Sequence, residues 1–324
     1  MKVLLVGVGR WGEKHLRVLR ELGADVWVAT RSAERQAWAV GHGVSGARIV
    51  ADYREALALV DAVDVVTAAD THVPIVTTCL ERGRHVFVEK PLATTVAEGR
   101  ALAATASRTG RVLQVGHIYR FHPVTTALRA ALAAGRIGRV RFASGRFGGF
   151  KRPRPDTGVT LSDAIHWFDL FAYVLERPAT AVMSVQRDHL GRGLDDFSLS
   201  VVQYGDVPVT VEAEYFTPGT HRSCTIVGED GRLAADYTTS RLTLHTGAHR
   251  ATGSEWRADA GAAEDLPVGD AEALRLQLAA FLDACTGRAP VAVTAAAGVH
   301  ALEIAEAAAQ ASRLQREVKV PLER

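Results

Sequence analysis

Close to the amino terminus, Gly7-Val8-Gly9-Arg10-Trp11-Gly12 follows the apolar run Val3–Val6 and precedes a helical pattern over Trp11–Leu22. Three glycines so placed do separate jobs. The first permits a tight turn, the second lets backbone approach a diphosphate, and the third lets helix and strand pack closely. The free amides of the helix start, at Arg10 and Trp11, are where a pyrophosphate would rest. Alone, GxGxxG is a common turn; with a strand before it and a βαβ unit after it, it reads as a dinucleotide site. At the end of the next strand an acidic residue would accept hydrogen bonds from the adenosine ribose and repel a 2′-phosphate. This chain has Ala29-Thr30-Arg31-Ser32 there, with Arg35 one turn on. Hydroxyls and guanidinium groups suit a phosphate dianion, so NADP is expected as cofactor. NAD stays open, because Arg31 stacked on adenine would serve either.

Two further groups could do chemistry. Glu89-Lys90-Pro91 closes the apolar strand His85–Val88, which puts Lys90 at the carboxyl end of a sheet, where open α/β folds bind ligands. An ammonium there can hydrogen-bond a reacting oxygen and stabilise a developing alkoxide. Equally, Glu89 and Lys90 can be polar residues that merely end a strand. His166 lies on a helix over Leu161–Leu175, with Asp163 a turn before it and Asp169 a turn after, so all three share a face. A histidine oriented by a carboxylate suits acid–base work on a hydroxyl or ketone. The competing reading is an acid at the helix start and a satisfied core histidine.

The elements that must position these groups fall into two styles. Strand-like runs Val3–Val6, Asp25–Ala29, Asp64–Thr67, His85–Val88 and Val112–Val115 alternate with helical patterns Trp11–Leu22, Ser32–Val40, Tyr53–Val60, Val73–Arg82 and Val96–Thr109. Strands apolar on both faces and spaced by helices predict a buried parallel sheet, an α/β Rossmann domain over residues 1–119. Beyond Tyr119–Pro123 and a helix at Val124–Ala134 the period drops to two, in Val140–Phe147, Ala181–His189, Phe197–Tyr204, Val207–Tyr215 and Ser223–Val227. Turn signals at Tyr204-Gly205-Asp206 and Glu229-Asp230-Gly231 imply a large, mostly antiparallel open sheet. With helices Ala271–Thr286 and Ala295–Leu314 this makes an α+β domain over residues 120–324.

Composition narrows the function classes. The chain has 324 residues and a formal net charge of +2, which offers no footprint for nucleic acid. Cys79, Cys224 and Cys285 lie far apart without ligand spacing, so buried, reduced thiols and no metal are expected. The amino terminus is too short on apolar residues for a signal peptide, and no run suits a membrane span. A cytoplasmic, soluble protein with a small-molecule substrate follows as the expectation.

Val86-Phe87-Val88-Glu89-Lys90-Pro91-Leu92 resembles the EKP signature of the glucose-fructose oxidoreductase / inositol dehydrogenase / rhizopine-catabolism (Gfo/Idh/MocA) family. Thr67 and His72 resemble its fourth-strand TPxxxH pattern, with Ala68 in place of the proline. Gly116, Arg120-Phe121 and Pro123 fit its crossing between domains. Gly135-Arg136-Ile137-Gly138-Arg139-Val140 resembles its GxIG(x)V segment, and Ala164-Ile165-His166 with Asp169 its catalytic helix.

The resemblance implies Lys90 and His166 as catalytic residues, a cis Lys90–Pro91 peptide, and Thr67, His72, Glu89 and Pro91 near the cofactor. It also implies homodimers or homotetramers built through the open face of the second sheet. Many members carry aspartate where this chain has Ser162. Asp163 is therefore a candidate for that acid and Ser162 a substrate contact. Arg120 and His122 are further substrate candidates, and the basic loop Lys151-Arg152-Pro153-Arg154 offers Arg152 and Arg154 to a substrate phosphate or diphosphate. The expected reaction interconverts a secondary alcohol and a ketone on a sugar-like ring, with a nucleotide-linked sugar as leading substrate. The alternatives are a dehydrogenase of free cyclitols or sugars such as inositol, a reductase of non-sugar carbonyls or imines, and a non-enzymatic NADP-binding sensor or scaffold.

Overall fold

The structure, a computed structural model, describes residues 1–321. Contacts divide the chain into two compact units, Met1–Ile118 with Ala273–Leu302, and Tyr119–Glu272 with the segment from Glu303 onward. In the first unit β1 (Lys2–Val6), β2 (Asp25–Ala29), β3 (Ile49–Val50), β4 (Ala62–Val65), β5 (His85–Glu89) and β6 (Leu113–Gly116) form a six-stranded sheet in the order β3-β2-β1-β4-β5-β6. Every neighbouring pair is parallel. Helices α1 (Arg10–Glu21), α2 (Ala33–Gly41), α3 (His72–Glu81) and α4 (Val96–Thr109) return the chain between strands. Strands covered on both faces are predominantly apolar, and Val3, Leu4, Leu5, Val63 and Val65 are fully buried. The strand order reverses between β1 and β4, which opens a crevice at their carboxyl ends. Tyr53–Leu59 is a 3-10 helix rather than the expected α-helix. It buries only Ala56 and Leu57, too small a face to hold a longer helix on the sheet.

The second unit begins with α5 (Pro123–Ala133) and β7 (Val140–Gly149). A π-wound turn at Thr160–Ala164 leads into α6 (Ile165–Leu175), where the sequence pattern predicts one continuous α-helix. Then follow β8 (Ala179–Arg187), β9 (Phe197–Tyr204), β10 (Val207–Glu214), β11 (Thr220–Gly228), β12 (Gly231–Asp236), β13 (Arg241–Thr252) and β14 (Glu255–Leu266). The chain ends through α7 (Ala273–Cys285), α8 (Ala295–Leu314) and β15 (Val318–Lys319). The nine-stranded sheet has the order β14-β13-β12-β11-β7-β10-β9-β8-β15. It is antiparallel except where β7 and β10 run side by side in the same direction.

Alternation decides the faces of this sheet. Val207, Val209, Val211 and Ala213 are buried and join Trp167, Phe168 and Phe171 of α6 in the core. On the outward face Phe142, Met183, Val185 and Leu199 stay 50%, 51%, 44% and 41% exposed. The β13–β14 hairpin has no counterpart among the strands read from the sequence. Nearly every residue of β14 is exposed, so Glu255–Leu266 lacks the buried alternate positions that betray a strand.

Residues 273–302 belong to the first unit, whereas the reading at 1–119 and 120–324 places them in the second. Leu274, Leu278 and Phe281 of α7 are buried with Val3, Leu16, Val26 and Phe87. Gln114 also donates its amide to the carbonyl of Gln277 at 3.0 Å. Hydrophobic burial thus returns the chain to a sheet that local sequence had already closed. No helix among the described residues is long and apolar enough to cross a membrane. Cys79 and Cys224 are buried, Cys285 partly so, and burial pushes each thiol up to about 12.

Candidate active site

The glycine turn after β1 behaves as the spacing demands. Gly7 has φ +95°, and a methyl group built on it would lie 2.7 Å from the Val66 carbonyl oxygen. A methyl on Gly12 would lie 2.1 Å from the carbonyl oxygen of Gly7, whereas one on Gly9 would meet nothing within 4 Å. The turn is therefore closed on the protein side and open where a diphosphate would approach. Gly9 caps α1 without a side-chain bond, which leaves the first amides of that helix available to an anion. Gly12→Ala is expected to destabilise the fold by roughly 1–3 kcal/mol, the range for overpacking, and to weaken dinucleotide binding. Thermal denaturation and a fluorescence titration with NADPH measure the two effects.

A cleft of about 590 Å³ continues from this turn and is bordered by Thr30, Arg31, Asp52, Tyr53, Arg54 and Thr67. Thr30, Arg31 and Thr67 were expected there. Ser32 instead caps α2, accepting from the Arg35 amide at 3.3 Å, and the Arg35 guanidinium meets Glu13 at 2.5 Å. Ser32 thus serves α2, and the Arg35 guanidinium faces a carboxylate of α1. Arg54 escaped the sequence reading because its segment looked like an ordinary helix. It reaches Asp52 at 3.0 Å, and its amide and guanidinium hold that carboxyl below the usual range.

Lys90 follows β5, and its bond to Pro91 is cis. The neighbouring Glu89 ties it to the glycine turn: one carboxylate oxygen accepts from the Trp11 indole at 2.9 Å, the other from the Lys90 amide at 3.2 Å. His15 of α1 lies 3.3 Å from Glu89 and 2.8 Å from Asp64 of β4, with the imidazole and Asp64 fully buried. Burial opposes charging the imidazole, but the two carboxylates outweigh it and lift the group to about 10. Burial likewise opposes a charged Glu89, yet His15 and Trp11 hold its carboxyl below the usual range. A methyl on Gly116 would come within 2.9 Å of that carboxyl, so β6 needs glycine there. His72 donates to the Pro91 carbonyl at 2.8 Å, with its other ring nitrogen 3.3 Å from the Thr67 carbonyl, and so fastens the loop after β4 to the Lys90–Pro91 corner. The sequence reading missed His15 and Asp64. A charged residue inside an otherwise apolar strand was the available signal, since a buried charge requires a partner.

In the second unit His166 is 6% exposed, stacked on Phe147 at 5.2 Å and met edge-on by Tyr119 at 5.0 Å. The π-wound turn breaks the rotation of an α-helix, so the shared face inferred for Asp163, His166 and Asp169 does not carry over directly. Asp163 meets Lys151 at 2.6 Å, and the Lys151 ammonium also lies over the rings of Phe147 and Tyr215 at 5.1 and 5.3 Å. Ser162 is buried with its hydroxyl 2.7 Å from that of Tyr215.

Several expected substrate contacts turn out to hold the scaffold. Arg120 grips Asp169, with its Nε donating at 2.8 Å, and stacks on Tyr173. His122 caps α5 by accepting from the Val124 amide at 3.2 Å, and burial lowers its pKa, which suits an acceptor nitrogen. Arg154 makes two 3.0 Å bonds to Asp156, whereas Arg152 is exposed. Tyr119, Phe147 and Tyr215 were not singled out as site residues, because an aromatic residue in or near a strand looks like core.

The first 117 residues match the family model described as an oxidoreductase family with an NAD-binding Rossmann fold. Residues 129–321 match the C-terminal alpha/beta domain of the same oxidoreductase family. The chain is 32% identical over 340 residues to inositol 2-dehydrogenase 1 of Saccharopolyspora erythraea, covering 99% of this chain and 97% of that one. It is 27% identical to 1,5-anhydro-D-fructose reductase of Ensifer adhaerens, over 91% and 93% of the two chains. Among solved structures, UDP-N-acetylglucosamine 3-dehydrogenase of Acidithiobacillus ferrooxidans shares the fold with a TM-score of 0.83 at 24% identity, over 97% and 98% of the chains. With both domain models matched and a relative aligned nearly end to end, the chain belongs to the Gfo/Idh/MocA family of NAD(P)-dependent oxidoreductases.

Proposed function

We propose that this protein is an NADP-preferring oxidoreductase of the cytoplasm that interconverts a secondary alcohol and a ketone on a compact, sugar-like ring. The dinucleotide supplies the hydride acceptor or donor. In the oxidative direction His166 accepts the hydroxyl proton while the Lys90 ammonium stabilises the oxygen as it gains charge; reduction reverses both roles. The observation that carries this reading is the Glu89 carboxylate, which bonds both Trp11 of the glycine turn and the Lys90 amide. The turn suited to a pyrophosphate and the lysine suited to an oxyanion are one hydrogen-bonded unit.

A free ring is favoured over a nucleotide-linked one. Lys151 and Arg154 of the basic loop already face Asp163 and Asp156, which leaves that loop only the exposed Arg152 for a diphosphate. The end-to-end relative, moreover, is an inositol dehydrogenase. The outward sheet face with Phe142, Met183, Val185 and Leu199 is the surface on which the homodimer or homotetramer implied by the family would assemble.

Initial rates with NADP⁺ and NAD⁺ against cyclitols, free sugars and nucleotide-sugars test the reading. Turnover of a ring alcohol with NADP⁺ preferred is expected; cofactor binding with no turnover on any member would favour a sensor. Arg31→Glu should lower the NADP⁺-to-NAD⁺ ratio of kcat/KM by about 10–100-fold, since a hydrogen bond to a charged group contributes roughly 1.5–3 kcal/mol. Equal use of both cofactors by the unaltered protein would overturn the preference.

A further inference from the structure

We propose that the substrate carries an oxyanion, a carboxylate or a phosphate, and that Arg222 of β11 receives it; this rests on the oxidoreductase reading of the His166 site. Strand register puts Arg222 directly across from Phe147 of β7. The guanidinium lies over that ring, 3.5 Å from its centroid. It is half-buried, and one of its terminal nitrogens donates to the carbonyls of Gly148 and His221. Its side chain also bonds the Tyr119 hydroxyl. Phe147 and Tyr119 are the same two rings that pack on His166, at 5.2 and 5.0 Å. The cation is therefore one side chain removed from the imidazole.

Placement singles this arginine out: the Arg192 guanidinium likewise meets no carboxylate among the described residues, but it donates to the Arg154 carbonyl rather than lying over a ring beside His166. Of the cations grouped around α6 and the π-wound turn, Lys151 faces Asp163, Arg120 faces Asp169 and Arg154 faces Asp156. Arg222 has no carboxylate partner among the described residues. Tyr119 does not replace one, because burial pushes its hydroxyl up to about 12 and keeps it protonated. A partly desolvated guanidinium whose partners are two carbonyls and a neutral hydroxyl has no anion to match it, and its five-donor fork exceeds those three bonds. That fork fits carboxylate or phosphate in bidentate fashion, and stacking on Phe147 holds its plane in advance.

Matched pairs decide the matter: a hexuronate against its neutral hexose, and a cyclitol phosphate against the free cyclitol. Affinities of the cofactor-loaded protein are measured by titration calorimetry, and kcat/KM alongside. The anionic member of at least one pair is expected to bind about 10–100-fold more tightly, the worth of one charge-assisted bond. The uronate and phosphate arms tell the two oxyanions apart. In Arg222→Leu the ratio within that pair should fall toward one, and Arg222→Lys should restore part of it; a purely structural arginine would weaken both members alike. Equal affinity for both members of both pairs in the unaltered protein, or a preference that survives in Arg222→Leu, overturns the proposal. Binding of the anion without turnover of any ring would count against the oxidoreductase reading and leave the role of Arg222 standing.

Discussion

Lys90→Met is expected to lower kcat by about 10²–10³-fold, the usual cost of removing one group aimed at a developing oxyanion. Methionine keeps an unbranched apolar side chain and removes the ammonium, so the loss reports charge and hydrogen bonding rather than packing. Glu89 remains bonded to Trp11 and close to His15, and the glycine turn retains its own backbone constraints. NADPH affinity, read by fluorescence titration, should therefore change far less than kcat. Arginine should not restore the rate, because a planar fork cannot stand where a compact ammonium points. A Lys90→Met protein that turns over at near the original rate would remove this lysine from the mechanism.

His166→Asn should reduce kcat by about 10²–10⁴-fold, the range for loss of a positioned general acid or base. Asparagine has similar reach and can occupy the gap between Phe147 and Tyr119, so the thermal midpoint should hold while the rate falls. The more telling readout is the pH profile. A limb of kcat/KM governed by the imidazole should vanish in the variant, leaving a flat response over that range. Persistence of the same limb would mean that another group moves the proton, and Tyr119 would be examined first as its neighbour.

The glycine turn, the alternating α/β order and the position of Lys90 were legible in sequence because each is dictated locally. A positive φ at Gly7 and a 2.1 Å approach at Gly12 admit no other residue, and strands buried on both faces are mostly apolar, the polar exceptions such as Asp64 and Gln114 each having a buried partner. The end of β2 was legible only in part: Arg31 borders the cleft, but Arg35 is taken by Glu13, on a different helix. Spacing can bring Arg35 near the expected phosphate. It cannot show that a competing carboxylate arrives from elsewhere.

By itself the sequence determined two chemical halves, a dinucleotide turn with a lysine beyond β5 and a histidine on a helix after β7, since backbone geometry and hydrophobic period are properties of neighbouring residues. Tertiary structure decided which charges are satisfied and which are left to act. It joined His15 and Asp64 to Glu89, set Lys151 against Asp163, returned α7 to the first sheet, and laid Arg222 across from Phe147. Each of these depends on strand register or on burial between segments remote in the chain. Coulomb and desolvation energies depend on distance and surroundings in space, and no local pattern carries that information.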